Sequence, residues 1–409
     1  KPLKQPAKPV QIVMRLTLLR LKQFSDHVAK EFVKYGSYSP TPMSISKLLH
    51  FGRNPSQENS FKFLRHEVPV RLANIMQEIH LLPESLVTMP STKTVIGLYK
   101  QSFLDMLAFK DEPKRPSDGR LTDFTETLAQ ILERHREVVE TMAQGVLELK
   151  EREGDLDTQT EAQVQYFLDR FYMSRISIRM LISQHVILFG PDLRNNRQIG
   201  SIDPHCDIMS VIDHAYNSAR FLCEQFYLTA PSMTTQVIGL DKTTEFAYVP
   251  SHLYHMVFEI IKNSMRALVE KNEDNMPPIH VMICVGKEDL TIRVSDQGGG
   301  IARSELPLVF KYTYTTASPV SPSSSTGPPL AGYGYGLPLS RIYARYLHGE
   351  LALASVEGYG TDAYIYLKKS SDEANELLPV FNITSAKRYT ANLPVPDWSN
   401  PSLSNQFRL

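Results

Sequence analysis

Cysteine is scarce. The chain of 409 residues holds three, Cys206, Cys223 and Cys284, too widely spaced for a Cys-x-x-Cys metal pattern or a disulfide framework. They read as buried small hydrophobes in a reducing compartment. Net charge is also lacking, because 44 Lys and Arg balance 44 Asp and Glu. That balance argues against nucleic acid or an anionic membrane as a partner and leaves only local basic patches. No run of about 18 apolar residues occurs, so no transmembrane helix is expected. No signal peptide is legible. The first residue is Lys1 rather than Met, which reads as a processed or trimmed chain with any transit peptide already gone. Strand patterns are nearly missing from the first half, and Trp398 is the one tryptophan.

What is present divides the chain. At this length more than one hydrophobic core is expected. Residues 1–190 carry apolar positions at helical spacing, starting with Met14, Leu18, Leu21, Phe24, Val28 and Phe32. A short helix is expected at 44–51, and one at 60–79 broken or kinked near Pro69. Further helices are expected at 92–107, 121–151 and 161–190. This half reads as a helical bundle. Pro, Asn, Arg, Gly and Asp crowd 191–206 and mark a boundary. Residues 200–370 then mix helices at 207–226, from Pro250, and at 337–347 with strands at 234–239, 245–249, 279–285, 290–295, 350–356 and 361–368. That pattern predicts an α+β unit with a mostly antiparallel sheet. Residues 371–409 read as a tail. Trp398 beside Asp397 among polar residues suggests docking on another surface, with incidental packing the bland alternative.

Chemistry concentrates in the second half. His255, Glu259, Asn263 and Arg266 fall four, four and three apart, along one side of a helix. Asp296 ends an apolar strand and leads Gln297-Gly298-Gly299-Gly300, and Gly332, Gly334 and Gly336 precede the next helix. An Asn263 amide oxygen suits an octahedral Mg²⁺ shell completed by phosphates and water. The Asp296 carboxylate suits an adenine amino group, and the glycines allow close backbone approach. Free N–H groups at the second glycine run and the helix N-terminus suit phosphates. Between the runs, residues 311–330 include a Ser/Pro-rich stretch that reads as a lid. Each piece alone is weak, since a glycine run is more often a turn and a helical Asn more often a surface residue. Their order is what points to a nucleotide. No Lys-Ser/Thr follows the glycines, which excludes a Walker P-loop, and the His-Arg-Asp and Asp-Phe-Gly pair of common protein kinases is missing. In the bundle, Arg170, Arg175, Arg179 and His185 form a cationic stripe, either paired with neighbouring acids or lining an anion pocket.

Glu259-x-x-x-Asn263, Asp296-x-Gly298-x-Gly300 and Gly332-x-Gly334-x-Gly336, in that order, resemble the GHKL ATPase superfamily of gyrase B, Hsp90, bacterial histidine kinases and MutL. Within it the sequence closely resembles the mitochondrial pyruvate dehydrogenase kinases, through residues 63–76, 166–180, 200–204, 250–266, 295–300, 329–338 and 357–368. Asp397-Trp398 is similar to that family's tail anchor. The branched-chain 2-oxoacid dehydrogenase kinases share the ATP motifs and are the nearer alternative. A GHKL ATPase that drives conformational change, or a lipoyl-binding scaffold, is the alternative of another class.

The resemblance implies a helical bundle followed by a GHKL (Bergerat-type) α/β sandwich. It implies ATP-dependent serine phosphorylation of the E1 alpha subunit of the pyruvate dehydrogenase complex, which inactivates the complex in the mitochondrial matrix. Glu259 would be the general base and His255 its tuning partner, with a purely structural His255 the alternative. A free carboxylate is a poor base at neutral pH, so partial burial or an interaction favouring its protonated form is needed, and a charged His255 would work the other way. Asn263 would hold Mg²⁺, with K⁺ a candidate second ion. Lys262, Arg266, Thr315 and Thr316 would face the phosphates or lid, and Tyr333, Tyr335 and Leu337 would accompany the glycine run. Thr361 would join Asp296 at adenine. His135, Ser174, Arg175, Ile178 and Arg179 match the family's pyruvate or dichloroacetate pocket. Arg197, where relatives have Lys, would meet the acidic inner lipoyl domain of the E2 acetyltransferase core. The tail of a partner subunit in a homodimer would assist. Two departures stand out: Leu132 where relatives often have Arg, which predicts weaker anion inhibition, and Gln297 where relatives usually have Arg.

Overall fold

The computed structural model describes residues 26–111, 116–154, 156–191, 197–239, 244–271, 275–315, 334–382, 385–386 and 389. It falls into two compact units. One comprises residues up to Pro42, Asn54–Leu193 and Leu378 onward; the other comprises Met43–Arg53 and Arg194–Leu377.

The first unit is helical: α1 (Asp26–Gly36), α3 (Gln57–Ile79), α4 (Glu84–Val87), α5 (Pro90–Leu107), α6 (Asp118–Arg134), α7 (Val138–Glu153) and α8 (Thr158–Phe189). Side-chain oxygens of Ser56, Ser117 and Asp157 accept backbone N–H bonds at the starts of α3, α6 and α8, answering donors that a helix end leaves open. Phe61, Phe109 and Phe124 pack edge to face, their centroids 4.8–6.4 Å apart, and anchor one end of the core. Of the break or kink expected near Pro69, the break does not occur: α3 runs on through the proline. A mid-helix proline costs about 3 kcal/mol. Here every residue from Glu67 to Ile79 is buried, and that packing offsets the penalty. Polar residues enclosed this way need partners. Arg71 donates to Glu67 at 2.8 Å, to the Ser177 carbonyl at 3.1 Å and to the Thr41 carbonyl at 2.8 Å. Glu78 pairs with the fully buried Arg170 and accepts the Tyr389 hydroxyl at 3.0 Å. The periodic stretch 121–151 is two helices, because the chain turns at His135–Glu137.

The second unit holds a five-stranded sheet in the order β2-β4-β5-β7-β6, formed by β2 (Met233–Gly239), β4 (Ile279–Val285), β5 (Asp289–Asp296), β6 (Glu350–Val356) and β7 (Gly360–Lys368). Only β2–β4 is parallel among these pairings. β1 (Asp203–Asp207) and β3 (Glu245–Tyr248) form a separate antiparallel pair. Helices α9 (Ile208–Tyr227), α10 (Pro250–Lys271) and α11 (Gly336–Tyr346) complete the unit, with α10 against β4 and β5 and α11 against β6 and β7. Ile279, Val281, Ile283 and Val285 are buried, whereas Cys284 is exposed. Its expected burial is thus corrected: side chains alternate along a strand, and Cys284 falls on the outward face. Cys206 and Cys223 are buried as expected.

Helix α2 (Ile45–Arg53) belongs to this second unit. The amides of Ile45 and Ser46 donate to the Ala374 and Ser371 carbonyls at 3.1 Å each. Glu376, buried, accepts the Met43 amide at 2.9 Å and the Tyr346 hydroxyl, tying α2 to α11. No helix among the described residues is long and apolar enough to cross a membrane.

Candidate nucleotide site and anion pocket

Helix α10 buries His252, Leu253, Met256, Val257, Ile260, Ile261, Ser264, Met265 and Leu268. That 3.6-residue stripe leaves Glu259 and Lys262 partly covered and Asn263 exposed. Lys262 Nζ lies 2.9 Å and 2.8 Å from the two Glu259 carboxylate oxygens. The same carboxylate is seated against the first residue of α11. A Cβ at Gly336 would lie 2.1 Å from Glu259 Oε2, so a larger residue there would have to displace the carboxylate. Glu259 therefore sits between an ammonium and the positive end of a helix dipole, with Asn263 one turn away. His255 packs its ring 4.8 Å from that of Tyr343 on α11. Arg266 pairs with Glu270 at 2.7 Å, which fixes it further along α10.

Asp296 is buried at the end of β5. Its Oδ2 accepts the Ser264 hydroxyl at 2.8 Å and its Oδ1 the Gly298 amide at 2.9 Å. Burial raises its pKa, and hydrogen bonds from the Gly298 amide, the Ser264 hydroxyl and the Thr361 backbone oppose the rise. A carboxylate has about four acceptor positions, so capacity remains for a ligand's N–H. Thr361 is its cross-strand partner on β7, and the Thr361 hydroxyl meets Ser355 at 2.9 Å. Gly300 has φ +71°, and a Cβ there would strike the Val356 carbonyl at 2.1 Å. Gly334 backs onto the Tyr314 carbonyl beside Thr315, so the segments flanking 316–333 meet. Tyr335 turns into the core, its ring 5.1 Å from that of Tyr312. Leu337 stands partly exposed in the first turn of α11. Thr316, Gly332, Tyr333, Asp397 and Trp398 lie outside the described residues, as does most of the 311–330 stretch. Ser264 and Ser355 were not legible as site residues, because their importance rests on partners 32 and six residues away.

Among the described residues no group of three or more His, Cys, Asp or Glu converges on a metal position. The exposed Asn263 amide oxygen is of the donor type that fits a magnesium carried in with phosphates.

In the helical unit the cationic stripe separates. Arg170 is sequestered by Glu78, and His185 is buried between the hydroxyls of Ser60 at 2.7 Å and Thr125 at 2.9 Å. Burial pushes His185 down to about 4, so it is neutral at pH 7 and not part of a cationic surface. Arg175 and Arg179 behave differently. They donate to the His135, Arg136 and Leu132 carbonyls at 3.0, 3.2 and 3.1 Å, capping the C-terminus of α6. His135 touches Ser102 Oγ at 2.9 Å and the Tyr99 ring at 4.5 Å between centroids; burial first, then neighbouring arginines, push it to about 4. Arg175 Nε and the Tyr99 hydroxyl are buried without a partner among the described residues. Ile178 is buried beside this group in sequence, and Ser174 is partly exposed. Tyr99 and Ser102 are thus additions that α5 supplies from outside the sequence motif.

Arg197 is anchored within its own unit, 3.0 Å from Asp203 and 2.8 Å from the His205 carbonyl, with its side chain 56% exposed.

A partly covered carboxylate, an exposed amide and a buried carboxylate acceptor lie on one α/β unit of the GHKL ATP-binding type, joined to a helical unit. The family described as "Histidine kinase-, DNA gyrase B-, and HSP90-like ATPase" matches residues 248–371, and "Mitochondrial branched-chain alpha-ketoacid dehydrogenase kinase" matches residues 42–203. The chain is 52% identical over 400 residues to the mitochondrial pyruvate dehydrogenase (acetyl-transferring) kinase of Drosophila melanogaster, covering 95% of this chain and 96% of that one. It is 48% identical to the enzyme of that name from Ascaris suum, covering 95% and 98%. Human isozyme 3 is also 48% identical, with 95% and 97% covered. The chain belongs to the mitochondrial pyruvate dehydrogenase kinase family.

Proposed function

We infer that the protein is an ATP-dependent serine kinase of mitochondria that phosphorylates the E1 alpha subunit of the pyruvate dehydrogenase complex and thereby inactivates it. The observation that carries this reading is the Glu259 carboxylate, held by Lys262 against Gly336 one turn from Asn263. Glu259 accepts the serine proton as the hydroxyl oxygen attacks the γ-phosphorus and the bond from that phosphorus to the β–γ bridging oxygen breaks, releasing ADP. Lys262 fixes the carboxylate's orientation, and His255, braced on Tyr343, tunes it. Asp296 and Thr361 hold adenine, while the N–H groups at the start of α11 bind phosphate oxygens. Asn263 would hold magnesium, with K⁺ as an accompanying ion, and the metal when bound would supply charge neutralisation at the transferred phosphate. Positioning is therefore the protein's main contribution.

The matrix is the expected site of action, and the working form is a homodimer. The helical unit binds the inner lipoyl domain, Arg197 of the second unit offers an exposed cation to an acidic partner, and Asp397 and Trp398 near the end of the chain engage the partner subunit. The pocket of His135, Ser174, Arg175, Ile178 and Arg179 takes a small carboxylate such as pyruvate, drawn by the open donors on Arg175 and Tyr99. Leu132 in place of a cation weakens that inhibition. Leu132→Arg should lower the inhibitory pyruvate concentration about tenfold; unchanged inhibition sinks the pocket assignment.

The test of the function is incubation with labelled ATP-Mg and purified E1 from the pyruvate and branched-chain complexes. Label is expected on the former alone. Transfer to branched-chain E1 alone, or to neither, contradicts the reading.

A further inference from the structure

The loop after β5 carries Gln297 where the resemblance leads one to expect an arginine, yet a cation reaches that loop from another element. Lys271 closes α10, and its Nζ lies 3.2 Å from the Gln297 carbonyl oxygen and 3.4 Å from the carbonyl oxygens of both Gly358 and Tyr359. These acceptors come from two stretches, the loop after β5 and the turn between β6 and β7. Backbone bonds already join the stretches: the Gly299 amide to the Tyr359 carbonyl at 3.1 Å, and the Gly358 amide to the Gly299 carbonyl at 2.7 Å. An ammonium has three donors and no acceptor, which suits three convergent carbonyls. The lysine stem lies along the same loop, since a Cβ at Gly299 would sit 3.4 Å from Lys271 Cδ. Asp296 immediately precedes the first stretch, and Thr361, paired with Asp296 across the strands, follows the second.

We propose that Lys271 is a positioning residue for nucleotide binding: its ammonium clamps the β5 loop to the β6–β7 turn and so sets the spacing of Asp296 and Thr361 around the base. The proposal rests on the reading of Asp296 as the adenine acceptor. Lys271 lies 12 residues beyond Glu259 on one helix, about 18 Å along its axis. Its loss therefore changes how ATP is held and leaves proton transfer alone.

The experiment measures KM for ATP, kcat and the ATP dissociation constant for wild type, Lys271→Ala and Lys271→Arg. The Ala variant is also assayed in methylammonium chloride and in sodium chloride at equal ionic strength. Lys271→Ala should raise KM and the dissociation constant about threefold to tenfold with kcat within about twofold, the scale of one charged hydrogen-bonding partner. Lys271→Arg should recover most of the affinity. Methylammonium, occupying the vacated carbonyl cluster, should lower the Ala variant's KM where sodium chloride does not. Wild-type affinity in Lys271→Ala, a fall in kcat at unchanged KM, or a defect that neither Arg nor methylammonium relieves overturns the proposal. A wild type that binds no ATP removes the site reading itself, and this proposal with it.

Discussion

Single atoms decide the candidate site. Gly336 is required not for its backbone freedom but because the Glu259 carboxylate occupies the space of a side chain there. Gly336→Ala must push that carboxylate away by about 1 Å or more, a displacement that costs on the order of 10²-fold in rate. A kcat within threefold of wild type would show that Glu259 is not where the reaction needs it. Buried histidines set a second residue-scale property. Burial takes His135 and His185 to about 4 and His252 to about 3, from an ordinary 6.5. The native state thus refuses protons that the unfolded chain accepts between pH 6.5 and 4. Stability is present above pH 6.5 and falls as pH drops through that window, by roughly 3 kcal/mol for each such histidine. Urea midpoints taken from pH 7 to 4.5 should fall steeply, and His185→Asn should flatten the slope; an unaltered slope contradicts a neutral native His185.

At the scale of elements, buried ion pairs fasten chain segments that lie far apart in sequence. Glu78 on α3 holds Arg170 on α8 and the Tyr389 hydroxyl, while Arg170 also donates to the Val380 carbonyl at 2.9 Å. Removing one charge strands the other in the core, so Glu78→Gln should lose about 3–5 kcal/mol by chemical denaturation. A loss under 1 kcal/mol would mean that water reaches Arg170. Glu376, shared by Met43 and Tyr346, plays the corresponding part in the second unit. Neither carboxylate could be picked from the sequence, since partners 30 to 333 residues away leave no local mark. Local pattern, by contrast, placed the start of α10 and the whole of β4, β5, α11, β6 and β7 to within a residue or two, because period and turn chemistry agree there. It failed where tertiary burial overrode propensity. Pro69 stays inside a helix, 121–151 divides at His135, and the five-residue β1 pairs with β3 across an intervening helix.

For the whole molecule, the order of motifs carried more information than any of them singly. Asn263, Asp296 and Gly336 are each ambiguous residues. Only the sandwich of α10 and α11 on one sheet brings an exposed amide, a buried carboxylate acceptor and a helix start into one unit. The site's core was therefore legible, while its supports, Ser264, Ser355 and Lys271, were not, since each acts through backbone or side-chain partners the sequence does not announce. Likewise the cationic stripe in the bundle could not be divided from sequence, because Arg170 and Arg175 differ only in what faces them.

The central claim is that Glu259 takes the proton while Asn263 and the glycine-flanked helix hold the nucleotide. The direct measurement is kcat and ATP-Mg affinity of Glu259→Gln, an isosteric change that keeps the seat against Gly336. Affinity should stay within about threefold, while phosphate transfer to E1 falls by 10²-fold or more, in keeping with loss of a general base. Transfer at near wild-type rate, or a parallel collapse of ATP binding, would contradict the account.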